Sequence, residues 1–313
     1  MRTAFVFLFS LSIISSSSQD THYSQFYNSL QFVNPTLFSI QKTDYSLQIH
    51  RRSQWYSVTK PFNTTSFTFG GKNIYKGFSL GLTTLNDITG DSRFSTNAAL
   101  ISISNTLFFN EGIILYAIQP SFYQQSIDYN DLIFIQNEPI NMRSQSFVDL
   151  SFALSYYKPV EKESSFVFGI SIFHVNKPNQ SFSQNNTVLL PIKTVYYSSF
   201  SKKTNSQNTL SPVVFFSTQN TTREFVAGCS FSHIINDEIE ITSSMLNRYR
   251  DAIILAIGLK NKDIKFEASY DINTSTLRNA SSTIGALEFS FVYEWNKKIK
   301  KNNDKEIICP KYL

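Results

Sequence analysis

The feature that most limits what this chain can fold into is a strict two-residue alternation, repeated along most of its length. Between Phe147 and Tyr156, one face carries Val148, Leu150, Phe152, Leu154 and Tyr156, and the other Phe147, Asp149, Ser151, Ala153 and Ser155. Near the C-terminus Leu287, Phe289, Phe291, Tyr293 and Trp295 share a face opposite Glu288, Ser290, Val292 and Glu294. Ile264, Phe266, Ala268, Tyr270 and Ile272 likewise oppose Lys265, Glu267, Ser269 and Asp271. Successive side chains of a strand point to opposite faces, so each segment predicts a strand with one face in an apolar medium and the other in a polar one.

A soluble sandwich alternates too, so further features must decide. The segments approach the roughly 9–11 residues of a transmembrane strand rather than the usual 5–6. Aromatic residues sit near segment ends, as at Tyr156–Tyr157, Tyr196–Tyr197, Tyr293 and Trp295, which suits interfacial girdles. Composition agrees: 29 Phe and 16 Tyr raise the aromatic share to 15%, while charged residues reach only 16%. The net charge of +5 gives no reason to expect nucleic acid.

About fourteen segments emerge, the even number that a single-chain bacterial barrel needs. They span 45–52, 64–71, 77–86, 95–107, 112–123, 147–156, 165–173, 193–200, 210–219, 223–231, 239–246, 251–260, 264–271 and 283–294. The longest connections, Gln124–Ser146 and His174–Ile192, both follow odd-numbered segments and so share one end of the barrel. The predicted fold is all-β: a transmembrane antiparallel up-and-down barrel with an N-terminal periplasmic or plug segment.

Domain organisation follows. Arg2, the apolar run Ala4–Ile14 and Ser15–Ser18 predict a signal peptide over 1–18, too short for a transmembrane helix. Residues 19–44 form the N-terminal segment, 45–295 the barrel and 296–313 a periplasmic tail whose Lys run reads as a solvated end, with a specific partner-binding role as the alternative. The lumen-facing residues read as Ser, Ala and Val rather than opposed charges, which suggests a filled interior.

Chemistry is harder to find. His22, His50, His174 and His233 lie far apart and form no metal-ligand spacing. Gly70-Gly71-Lys72 lacks the upstream glycine of a phosphate loop, no GxSxG elbow occurs, and Asp237-Glu238 reads as a solvated turn. No catalytic residue, metal, cofactor or small-molecule substrate is expected. Cys229 and Cys309 are read as independent of each other.

Several motifs together resemble the PorP/SprF family of type IX secretion system outer-membrane proteins. Gln19-Asp20-Thr21-His22-Tyr23-Ser24-Gln25-Phe26-Tyr27 and then Asn34-Pro35 resemble the family's opening, with Thr21 where proline is usual. Arg52-Ser53-Gln54-Trp55 resembles an R-x-Q-W element after the first strand. The stretch Phe168–Phe182 resembles G-x-S-x-x-H-x-x-x-P-x-x-S-F, and Leu210-Ser211-Pro212 begins another shared strand. Tyr249–Ala252, Ser269–Asn273, Gly285-Ala286, Glu288-Phe289-Ser290 and Cys309-Pro310-Lys311-Tyr312 continue the likeness, although the family more often ends in Phe. The turn after Asn34-Pro35 is altered to Thr36-Leu37-Phe38.

The resemblance implies a barrel that handles or anchors secreted cargo, gliding adhesins among them, and that touches outer-membrane lipid and type IX machinery subunits. The rival class is a small-solute porin or transporter. The implied partner-binding residues each have a bland alternative. Gln25, Asn34 and Pro35 read as plug contacts or as a local turn. Arg52, Gln54 and Trp55 leave the first strand, with Trp55 an interfacial anchor or a cargo contact. His174 and Pro178 open a long extracellular loop and are the leading cargo contacts. Asp271 either binds a partner or merely faces the lumen, and Cys309-Pro310 either touches the machinery or ends the chain.

Overall fold

The computed structural model describes residues 20–54, 60–90, 93–128, 144–161, 163–183, 187–275 and 284–297. Its strands are β1 (Tyr45–Gln54), β2 (Phe62–Tyr75), β3 (Phe78–Thr89), β4 (Phe94–Phe109), β5 (Gly112–Ser126), β6 (Ser144–Glu161) and β7 (Ser164–Phe173). They continue as β8 (Lys193–Lys203), β9 (Asn208–Gln219), β10 (Thr222–Ile234), β11 (Ile239–Arg248), β12 (Ala252–Asn261), β13 (Ile264–Asn273) and β14 (Ile284–Trp295). Each pairs antiparallel with its sequence neighbours, and β1 pairs with β14 from Tyr45↔Trp295 to Gln54↔Ala286, closing a fourteen-strand barrel. Closure leaves no unpaired edge, which is what a sheet in hydrocarbon requires. No helix among the described residues is long and apolar enough to cross a membrane.

The alternation read from sequence is the alternation of faces. On β6, Val148, Phe152 and Leu154 are exposed on the outer wall, while Phe147, Asp149, Ser151, Ala153 and Ser155 are buried inside. Exposed Phe67, Leu82, Ile101, Phe122, Phe168 and Phe289 extend the apolar outer band around the barrel. In water such a surface would aggregate; in a bilayer it meets lipid tails.

Several strands outrun their sequence-based bounds. β2 runs to Tyr75 rather than to 71, through a register shift between Gly71 and Tyr75, and β6 covers Ser144–Glu161 rather than 147–156. Hairpin ends that leave the bilayer need no apolar face, so the ladder continues where the alternation has faded. β1 also ends later than 52, which places Gln54 within the strand rather than beyond it. Tyr197 is no girdle residue: it points inward and is buried in the lumen.

One barrel end is built of tight turns such as Lys76–Gly77, Asn110–Glu111 and Lys262–Asp263. Lys76 (φ 47°) and Gly77 (φ 86°) both adopt positive φ, as a type I′ hairpin turn demands. The other end carries the long 127–143 and 174–192 connections, beside tight ones at 220–221 and 249–251. Outer-membrane barrels keep short turns on the periplasmic side and long loops outside, which makes the first end periplasmic and the second extracellular.

Residues 20–41 occupy the lumen. They enter at the extracellular end, where Asp20 meets Gln219, and descend through a 3₁₀ turn (Phe26–Asn28), a single helical turn, α1 (Leu30–Val33), and a second 3₁₀ turn (Pro35–Ile40). They leave at the periplasmic rim, where Gln41 Oε1 accepts from Ser46 Oγ. Of the two expectations for this segment, a periplasmic arm or a plug, the plug is the one observed.

Candidate functional site

The plug is held in three ways. The first is apolar. Phe26, Val33 and Leu37 pack in one cluster with the inward residues Val167, Phe173, Val195, Val213, Phe215, Val226, Leu246 and Ile254 of β7–β12. A lumen wall of this kind is a protein core, and removing these side chains from water favours the docked plug by about 1.5–3 kcal/mol for each large one.

The second is shape. Asn34 caps the second 3₁₀ turn: its Oδ1 accepts from Thr36 N (3.0 Å) and Thr36 Oγ1 (2.6 Å), while Pro35 fills the first turn position, where its missing N–H costs nothing. Thr36 Oγ1 also lies 2.7 Å from Ser155 Oγ of the wall. Opposite Asn34 the wall carries Gly169, where a Cβ would collide with Asn34 Nδ2. The ring of Phe38, fully buried, sits over Gly70 and Gly81, where a Cβ would come within 2.6 Å and 2.9 Å of it. The glycine of the Phe168–Phe182 motif and the Asn34-Pro35 motif are therefore two halves of one contact.

The third is charge. Glu288 Oε2 accepts from the backbone N–H of Ser24 at 2.8 Å and Oε1 from that of Gln25 at 3.1 Å. Ser24 Oγ donates to Asp271 Oδ2 (2.7 Å) and accepts from Arg52 Nη1 (2.5 Å) and Arg248 Nη2 (2.9 Å). Arg52 pairs with Asp271 (3.0 Å) and Glu288 (3.1 Å), and Arg248 with Asp271 (3.1 Å) and Glu224 (2.9 Å). Gln25 Nε2 donates to Ser269 Oγ and to the carbonyl of Glu288, and Gln25 Oε1 accepts from Ser290 Oγ. Every one of these charged groups except Glu224 is almost wholly buried, and charges survive burial only when paired this fully. The expectation of a lumen poor in opposed charges is therefore corrected. Each strand contributes one or two ions to an otherwise polar face, and only barrel closure gathers them.

At the extracellular end a smaller latch forms. His174 adopts φ 60°, a left-handed conformation that turns the chain out of β7, yet its ring is buried and points back into the lumen. Its Nε2 lies 2.7 Å from Asp20 Oδ2 and its Nδ1 3.1 Å from Asp149 Oδ2; Lys193 Nζ is 3.5 Å from Asp20. Burial by itself would lower the His174 imidazole, but the carboxylates of Asp20 and Asp149 outweigh it and raise the group to about 9. Burial likewise disfavours the Asp20 carboxylate, but His174 and Lys193 hold it well below the usual carboxylate range.

The residues singled out from sequence fall as follows. Gln25, Asn34, Pro35, Arg52, His174 and Asp271 all turn inward to the junction of plug and wall. His174 in particular is withdrawn from the surface, against the expectation of an exposed cargo contact. Gln54 accepts from Arg52 Nη2 at 3.3 Å, and Pro178 is buried, its carbonyl accepting from Leu190 N. Trp55, Cys309 and Pro310 lie outside the described residues, as do the expected signal peptide and most of the expected tail. Sequence reasoning passed over Ser24, Glu288 and Asp20, although all three stand in the quoted motifs, and over Arg248 beside Tyr249–Ala252. Among the described residues no group of three or more His, Cys, Asp or Glu is placed to hold a metal.

Compared with known proteins, the chain matches the family model described as type IX secretion system membrane protein PorP/SprF over residues 15–293. No curated protein sequence matches it. Among solved structures, the Ralstonia pickettii toluene transporter TbuX superposes with a TM-score of 0.54 at 9% identity, covering 87% of this chain and 94% of that one. The CymD monoaromatic hydrocarbon channel superposes with a TM-score of 0.52 at 6% identity, over 86% and 93%. At such identities the likeness is one of fold.

Proposed function

This chain belongs to the PorP/SprF family of type IX secretion system membrane proteins, and from that premise we propose that it is a non-enzymatic outer-membrane component of that system. In this reading it engages secreted cargo, gliding adhesins included, and machinery subunits through its rims and loops. One observation carries the reading. Residues 20–41 occupy the lumen and are bound to the wall by hydrogen bonds to a buried ion-pair network, fitted glycines and an apolar cluster. A barrel closed in this manner has its two ends left for work. The extracellular loops and periplasmic turns are the surfaces that cargo and machinery would meet.

The second reading, a small-solute transporter, draws on the fold shared with the toluene transporter and the hydrocarbon channel, and on a cavity near the extracellular mouth. It requires the plug to shift. Deleting the gene and comparing secreted and surface proteins by mass spectrometry separates the two. Loss of one or a few large surface proteins, with general secretion intact, supports a dedicated cargo partner. Loss of all cargo makes the protein core machinery, and an unchanged surface defeats the secretion reading.

A further inference from the structure

The lumen wall changes character at one place. Along β4, β5 and β6 the inward positions nearer the periplasm are small and polar: Ser102, Ser104, Ser121, Ser151 and Ser155. Towards the extracellular end the inward positions of the same sector become Leu85, Leu100, Tyr123 and Phe147, with Tyr123 and Phe147 stacked at 5.2 Å. The plug does not fill the space beside them. It contributes Phe32 to one wall and leaves a cavity of about 180 Å³. One side of that cavity is polar, formed by Asp20, His174 and Lys193 of the latch together with Gln125 and Thr96.

We propose that this cavity is a binding site for a single aromatic ring that bears a hydrogen-bonding substituent. Three physical points converge. An apolar cavity of about 150 Å³ is known to accept benzene, so the volume suits one ring and excludes a second. The walls supply aromatic edges and faces, which pair favourably with another ring beyond simple burial. The polar side gives a hydroxyl or amide a partner, so the ring enters in one orientation.

The ring has two sources. It is a free phenol-like solute, or it is a tyrosine-type side chain on an extended segment of cargo, and only the second source rests on the secretion reading above. Binding to the full-length protein in lipid nanodiscs tests the site itself, whatever the gene deletion shows. Titration with 4-fluorophenol, followed by ¹⁹F NMR, should be saturable, and at least tenfold weaker in Leu100→Trp, which fills the cavity, and in Thr96→Phe, which narrows its outer edge. Thr96 is only partly buried, so the second variant keeps the test alive if the first misfolds. Displacement of the phenol by N-acetyltyrosinamide identifies a side-chain receptor; saturable phenol binding without displacement identifies a free-solute site. Non-saturable uptake, or equal binding in all three proteins, overturns the proposal.

Discussion

Ser24 and Glu288 stand 264 positions apart in sequence, yet the backbone N–H of Ser24 donates to the Glu288 carboxylate at 2.8 Å inside the barrel. One carboxylate on the last strand thus holds the first described turn of the chain. Because Glu288 also pairs with Arg52 of β1, the plug is tied to the seam where the barrel closes. The plug is thereby bound across the strand pair that closes the barrel.

Removing Glu288 should accordingly cost more than a single hydrogen bond. Glu288→Ala removes one of the two carboxylates that Arg52 pairs with and leaves two backbone N–H groups unpaired in a buried site, and breaking a buried pair in this way costs about 3–5 kcal/mol. The urea midpoint of the protein in lipid vesicles should fall, and the amides of Ser24 and Gln25 should lose protection from hydrogen exchange. Arg52→Ala should do the same from the other partner. Unchanged midpoints would mean that the network is not what holds the plug.

Phe38 gives a test of shape without charge. Its ring is fully buried against Gly70 and Gly81, so Phe38→Ala opens a cavity and should cost about 3–5 kcal/mol. Gly81→Val should produce a comparable loss from the wall side, and the two effects should not add, because both destroy the same contact. Additive losses would place Phe38 elsewhere.

The latch predicts a pH dependence with a definite sign. His174 is raised to about 9, so its contribution is complete below the unfolded value of about 6.5 and is lost as pH climbs through 9. Asp20 is lowered, so its contribution is present above the unfolded value of about 3.9 and is lost only on strong acidification. Hydrogen exchange at residues 20–24, corrected for the intrinsic rate, should therefore show constant protection from about pH 4.5 to 6.5, a decline as pH rises from there to about 9, and a lower, level protection beyond it. His174→Asn should abolish the alkaline loss. A latch that tightened on alkalinisation would reverse the assignment.

The barrel was legible in the sequence and the plug network was not, for one physical reason. Strand alternation is local, so Val148–Tyr156 and Leu287–Trp295 each announce their two faces in ten residues or fewer. The ion network joins Ser24, Arg52, Arg248, Asp271 and Glu288, each of which looks like one ordinary polar position on its own strand or turn. Ridges of charge appear only after closure sets the register. The same limit explains His174. Its place at the head of a long loop suggested exposure, whereas the left-handed turn that begins the loop sends its side chain inward. Gly169 and Asn34 were visible as motif residues, but their contact, across about half of the barrel's sequence, was not.

Residues 20–41 of the chain itself close the lumen, and single-channel recording in planar bilayers measures that closure. The intact protein should give a flat baseline, and a variant lacking residues 20–41, once shown to insert as a barrel, should give steady open steps. Steady ion current through the intact protein would contradict the account and bring the small-solute transporter to the fore.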